Sequence, residues 1–426
     1  MKIEIKSLFL LLVGMLFGVY AQAEDTAGNT YTGGVNHPYY CPTPGRLPII
    51  AVTPIPEKQT PSKSAFQTLI DCGFNSAIVN GGRESLRQQF NAIKELDFHF
   101  IVSNKEFKGD YYKSLVDMFG KEPQLGGWLL ADEPPYDKLT ELQTNYNLLY
   151  NADPRHIVYV NLVGAQIAYF TGKTKNFTQY LELIQKTIRP SVWSYDLYPF
   201  SEKNGRVICS YDIFYSDLEM FRNMSLKTGR PFWAFCQGIA IKNQNSVLPI
   251  ATEERLRFEA FNALAYGAQG IVYWTYGMRP SSENTTYRSA LVDLNGTRSA
   301  AWYAAQKVNE EIKRYNDIFF GCEAMDVKHT GTSKYGSTTK LNGRIGAFSS
   351  VQSGSSGVVV SYIRNKDKEY MVIVSRDVDR RQDISVKLVE GKSVEEVTSL
   401  VINSQPLSSG FSFTLPKSGY AIFRIQ

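Results

Sequence analysis

The sequence predicts an α/β fold class: a (β/α)8 barrel (a TIM barrel) followed by a C-terminal antiparallel β-sandwich. Three observations predict it. Eight short apolar runs alternate with eight stretches of helical period between residues 47 and 318. Nearly every run closes on a polar residue or a large aromatic one, so one end of the strands differs from the other. Beyond residue 318 the helical period stops and short β-rich runs take over.

Taken in order, strands are predicted over 47–53, 74–80, 98–104, 127–132, 156–161, 192–196, 232–236 and 269–274. The stretches 62–72, 83–96, 111–119, 137–151, 178–187, 212–228, 253–266 and 298–315 have the period of amphipathic helices. Apolar strands separated by longer helices mean βαβ units and a parallel sheet, and eight such units are the count of a closed barrel. An open doubly wound sheet would place a glycine-rich phosphate turn after the first strand. Val52-Thr53-Pro54-Ile55-Pro56 stands there instead. The remaining runs, 344–351, 357–363, 370–375, 384–389, 411–414 and 420–425, read as an antiparallel sandwich. Clean alternation within Val358–Tyr362 and Tyr370–Val374, with Phe319-Phe320 after the last barrel helix, predicts a structural accessory domain packed on the barrel and covering its apolar surface, with a carbohydrate-binding module as the alternative. The expected division is therefore 1–23 signal peptide, 24–46 lead, 47–318 barrel and 319–426 accessory sandwich.

The ends and the composition narrow the function. Lys2 and Lys6 precede the apolar run Leu8–Val19, and Ala21-Gln22-Ala23 forms a small-residue cleavage site. This predicts export, periplasmic or extracellular, with cleavage before Glu24; no later segment reaches membrane-spanning length. The formal net charge is +5, or +4 without the first 23 residues, and it is spread along the chain. Nothing in it suggests nucleic acid or an anionic surface. Five cysteines match no metal spacing and four scattered histidines build no imidazole site, so no metal or cofactor is expected. Oligomeric state is not legible.

The chemistry concentrates where strands end. Leu125-Gly126-Gly127-Trp128-Leu129-Leu130-Ala131 runs into Asp132, Glu133 and Pro134. Proline has no N–H for a sheet ladder, so it stops the strand there and leaves two carboxylates at its C-terminal end, where α/β enzymes work. Asn80, Asn104, Asn161, Asp196 with Tyr195 and Tyr198, Gln237, and Trp274 with Tyr276 stand at or beside the other strand ends. Such a ring of hydrogen-bonding and aromatic groups suits a polyhydroxylated substrate, with Trp274 stacking on a sugar face. Asn80 and Asn104 would serve equally to cap helices or close turns. By alternation Leu129, Ala131 and Glu133 share one face and Trp128, Leu130 and Asp132 the other. Small Ala131 suits the crowded barrel centre, so Glu133 is expected inward, with Asp132 joining it only if the strand end twists or bulges.

These features together resemble the (β/α)8 glycoside hydrolases. In the large clan of retaining barrel enzymes the fourth strand ends Asn-Glu-Pro, and Ala131-Asp132-Glu133-Pro134 is similar, with Asp for Asn. The resemblance implies Glu133 as general acid. It also implies a Glu at the end of strand seven, where this chain has Gln237. Three routes stay open: Asp196 acts as base or nucleophile from strand six; a substrate 2-acetamido group attacks, oriented by Asp132, as in substrate-assisted hexosaminidases; or hydrolysis is lost and the barrel binds carbohydrate without cleaving it. In the second route Tyr195 resembles the tyrosine that holds the reactive amide.

Overall fold

The computed structural model describes residues 41–426 apart from 105, 106, 108, 109, 166–176, 245, 333, 334, 337 and 401–405. The expected signal segment and most of the lead therefore lie outside the described residues.

Eight parallel strands close into a barrel: β1 (Ile49–Val52), β2 (Ser76–Val79), β3 (His99–Ser103), β4 (Leu125–Asp132), β5 (Ile157–Val163), β6 (Trp193–Asp196), β9 (Phe232–Gln237) and β12 (Ile271–Trp274), with β12 pairing back onto β1. The helices between them are α1 (Lys63–Asp71), α2 (Arg83–Ile93), α3 (Tyr111–Phe119), α4 (Leu139–Ala152), α5 (Phe177–Thr187), α6 (Tyr211–Thr228), α7 (Glu253–Ala265) and α8 (Ala300–Arg314), with a short α9 (Asn316–Phe319) after them. Ser62 and Thr252 begin α1 and α7 by accepting the N–H of Ala65 and Arg255, which satisfies helix donors that have no partner within the helix.

Strand alternation splits the apolar residues into two sets. Ile50, Ile78, Ile101, Leu129, Tyr159, Trp233, Phe235 and Val272 fill the barrel's interior, while their strand neighbours Ala51, Val79, Phe100, Trp128, Val158, Ala234 and Tyr273 pack against the helices. Gly127 is required by this filling, because a Cβ there would sit 2.2 Å from Ile157 Cγ1.

The loops after β6, β9 and β12 build two small sheets at the mouth: the hairpin β7 (Phe200–Lys203) and β8 (Arg206–Cys209), and a sheet of β10 (Ala240–Asn243), β11 (Val247–Leu248) and β13 (Thr285–Ser289). Arg288 joins them, bonding Glu202 at 2.7 Å and the carbonyl of Leu248 at 2.7 Å. The sequence reading left these elements out, although Asn204-Gly205, both at positive φ, is the dipeptide of a two-residue hairpin turn.

The sandwich has a five-stranded sheet, β14 (Glu323–His329), β16 (Val358–Asn365), β17 (Lys368–Ser375), β21 (Tyr420–Ile425) and β19 (Val394–Glu396), and a three-stranded one, β15 (Phe348–Gln352), β18 (Gln382–Leu388) and β20 (Phe411–Leu415). The five-stranded sheet is buried on both faces, one against the smaller sheet and one against the barrel helices. Val358, Val360, Met371, Ile373 and Phe423 meet the smaller sheet; Val359, Ile363, Val372, Val374 and Ile422 belong to the core of the barrel's helices. Tyr420 stacks on Phe261 of α7 at 3.7 Å. Asn365 donates to the carbonyls of Asp317, Ile318 and Phe320, so the joint is packed. All five cysteines are unpaired. Among the described residues no helix is long and apolar enough to cross a membrane.

Candidate active site

The fourth strand departs from simple alternation just before its acids. Leu129 pairs with Tyr159, but Ala131 then pairs with Val160 and Asp132 with Asn161, so the register slips by one at Leu130. A bulge exchanges the two faces for everything after it. Ala131 consequently turns to the helix side, and Asp132 takes the inward place beside Asn161. The expectation that Ala131 faces the barrel centre is thus corrected. Glu133 follows in the left-handed region at φ 46, which is uncommon for a residue with a side chain. Its N–H donates to the Asn161 carbonyl at 2.9 Å. The next carbonyl, of Pro134, accepts the buried Tyr180 hydroxyl from α5 at 2.8 Å.

Asn161 is the centre of the mouth. Its Nδ2 donates to Asp132 Oδ1 at 3.0 Å and to Asp196 Oδ1 at 2.8 Å. Its Oδ1 accepts the Ser194 hydroxyl at 2.8 Å. Asp196 closes the cluster through a hydrogen bond with the Glu133 carboxyl. Withdrawal from water, then the charge of Asp132, raises Glu133 above the ordinary glutamate range. Asp196 lies well above the ordinary aspartate range, because of burial first and then the charges of Glu133 and Asp132. Tyr198 stacks on Trp274 with centroids 5.2 Å apart, giving an aromatic wall beside the acids, and the Trp274–Thr275 peptide is cis.

The remaining expected residues divide. Asn80 is exposed at the end of β2, on the inward register set by Ile78. Asn104 spends its amide on the carbonyl of Gly81 at 3.1 Å, tying two loops together. Two tyrosines are corrections. Tyr195 faces the helices and stacks on Phe221 at 3.9 Å, since alternation from inward Asp196 turns it outward. Tyr276 is buried edge-on against Phe74 at 5.7 Å, in the helix-side core.

Gln237 does end the seventh strand, only 3% exposed. Its Nε2 donates to the carbonyls of Ile239 at 3.2 Å and Pro249 at 2.6 Å. Its backbone N–H bonds Glu259 of α7 at 3.1 Å. The side chain therefore pins the loop that follows the strand. Sequence reasoning missed Ser194, although alternation from Asp196 would have found it, and Glu259, a lone acid between Phe258 and Ala260 in an otherwise apolar run. Burial pushes the Glu259 carboxyl up to about 8.

Chemically, the mouth can hold a proton on Glu133 or Asp196 next to an ionised neighbour, which is what protonating a glycosidic oxygen requires.

Comparison with known proteins agrees with the fold. The family profile described as Glyco_hydro_42, Beta-galactosidase, matches residues 139–315, less than half of the chain and beginning just after the acid pair. No curated protein matches the sequence. The solved β-galactosidase of Bacillus circulans sp. alkalophilus superposes with a TM-score of 0.60 at 9% identity, over 90% of this chain and 99% of that one. A glycoside hydrolase family 5 protein from Bacteroides vulgatus gives 0.54 at 10%, over 88% and 89%. For the β-galactosidase of the psychrophilic Marinomonas ef1 the values are 0.48 and 11%, over 63% of this chain, which spans 59% of that protein. At these identities the structures speak for the fold alone. The profile match and the closed barrel together define the class: a (β/α)8 glycoside hydrolase, acting on O-glycosidic bonds.

Proposed function

We propose that this protein is an exported glycoside hydrolase that cleaves β-galactosidase-type linkages in oligo- or polysaccharides, with Glu133 as general acid and Asp196 as the second carboxylate. The observation that carries the reading is the cluster of Asp132, Glu133 and Asp196 around Asn161, beside the Tyr198–Trp274 wall. The partial β-galactosidase profile supports the linkage. Export rests on the signal-like first 23 residues. The experiment is a panel of phenyl and nitrophenyl glycosides, β-galactosides and N-acetyl-β-hexosaminides included, run with wild type and Glu133→Gln. Turnover of β-galactosides that Glu133→Gln loses supports the reading. Near-normal turnover by that variant overturns Glu133, and tight glycan binding without product makes the barrel a carbohydrate-binding one. Amino-terminal sequencing of protein recovered outside the cytoplasm checks export, with Glu24 expected first.

A second reading has its own observation. Gln237, in the place where related barrels carry the nucleophile, is an amide tied to its loop, so the seventh strand ends without a carboxylate. A substrate 2-acetamido group oriented by Asp132 would fill that role, and a preference for N-acetylhexosaminides in the same panel would select this route.

A further inference from the structure

The geometry points to Asn161 and Ser194 as a positioning pair that holds Asp132 and Asp196 as acceptors of one amide, with Glu133 lying against Asp196 and taking no donor from Asn161. This rests on the proposed hydrolase reading with Glu133 as acid.

Both hydrogens of the Asn161 amide are in use, one on each aspartate, so Asn161 has no donor left for a sugar. An amide nitrogen can only donate, and an aspartate receiving it is favoured in its ionised form. The orientation of the amide decides everything. Flipped, Asn161 would aim its oxygen at two carboxylates and lose both bonds. Ser194, fully buried on β6, prevents this by donating its hydroxyl to Asn161 Oδ1 at 2.8 Å. The strands supply the alignment: Asn161 pairs with Asp132 on one side and with Ser194 on the other, which the bulge at Leu130 makes possible. Glu133 takes no donor from Asn161 side-chain nitrogen.

Several titratable groups face the cluster. Glu133 and Asp132 come from β4, Tyr159 from β5 beneath Asp132, Tyr180 from α5 near Glu133, and Tyr198 from the loop after β6, with Glu259 of α7 beyond it. None of them is a cation, so the Asn161 amide is the feature among them that favours charge on Asp196.

The test uses the full chain as Asn161→Ala, Ser194→Ala and Ser194→Thr. Carboxyl carbon NMR, with the Asp196 signal assigned through Asp196→Asn, follows ionisation directly. The Asp196 ionisation is expected to move up by about one pH unit in Asn161→Ala, the scale of one lost hydrogen bond to a charged group. It should move less in Ser194→Ala and return toward wild type in Ser194→Thr, which keeps the hydroxyl. On phenyl β-D-galactoside, kcat should fall about 100-fold in Asn161→Ala, typical of a misplaced reacting group, and about tenfold in Ser194→Ala, with KM nearly constant. An unmoved Asp196 ionisation in a cooperatively melting Asn161→Ala overturns the inference. If that variant does not fold, the Ser194 pair decides on the same criterion. An inert wild type overturns the hydrolase reading instead, and the titration still decides this one.

Discussion

The fourth and seventh strands end at the same mouth, and the resemblance to barrel hydrolases would make them partners in one reaction. The chain finishes them differently. At β4 a bulge and a left-handed residue break the regular backbone, and the acids that follow stay exposed or half-exposed. At β9 the backbone stays regular, and Gln237 is committed to two loop carbonyls and, through its N–H, to Glu259. Behind β9 the helix α7 is itself covered by the sandwich, with Phe261 against Tyr420. One end leaves its acids accessible and the other spends its side chain on the loop. A residue's place at a strand end therefore does not give its role; that depends on how many hydrogen bonds the adjoining loop draws from it.

The comparison is broken most directly at the fourth strand. Glu133→Gln should lower kcat/KM on phenyl glycosides by about 10²-fold or more, the usual contribution of a general acid, and Asp196→Asn should be similarly impaired. Nitrophenyl substrates, whose leaving groups need less protonation, should lose less. Equal losses on both substrates would contradict acid catalysis by Glu133.

At the seventh strand the expectation is reversed. Gln237→Glu should not raise activity, even though it supplies the carboxylate that related barrels carry. Facing two carbonyls without solvent, the new acid should destabilise the fold by roughly 3 kcal/mol, visible as a lower melting temperature. A gain in turnover would show that this end is open after all.

The covering of α7 can be tested by Tyr420→Ala, which removes the stacked ring. A loss of about 2–3 kcal/mol in stability with kcat unchanged is expected. A fall in kcat without loss of stability would mean that the sandwich reaches the chemistry.

The smallest effect belongs to Glu259. Its pKa of about 8 lies above the value in an unfolded chain, so the folded protein binds the extra proton. Stability from this group is complete below pH 4, is lost as pH rises through about 8, and stays flat beyond. Glu259→Gln should flatten the decline in melting temperature between pH 5 and 8, leaving part of it to Asp217, whose buried carboxyl is pushed up to about 7. An unchanged slope would contradict the burial of a protonated acid behind β9.

Much of the barrel was legible because periodicity is local: a run such as Phe98–Asn104 carries its own strand signal. The acid pair was legible for the same reason, since Pro134 marks where β4 must stop. The face each acid presents was not, because it depends on a slip at Leu130 that appears only when β5 is laid alongside. Tyr195 and Tyr276 were misplaced through proximity, as a neighbour of an inward strand-end residue points outward by alternation. β14 and β19 escaped notice because their residues are largely polar and gain their pairing from neighbours distant in sequence.

The sheet order of the sandwich has a consequence for synthesis. β21 lies inside the five-stranded sheet, between β17 and β19, and it carries both Tyr420 against α7 and Phe423 within the sandwich. A ribosome adds about 5–20 residues per second, so the barrel and the sandwich wait many seconds for the strand that joins them. Until residues 420–425 emerge, the apolar surface on α7 and β17 that they cover stays open.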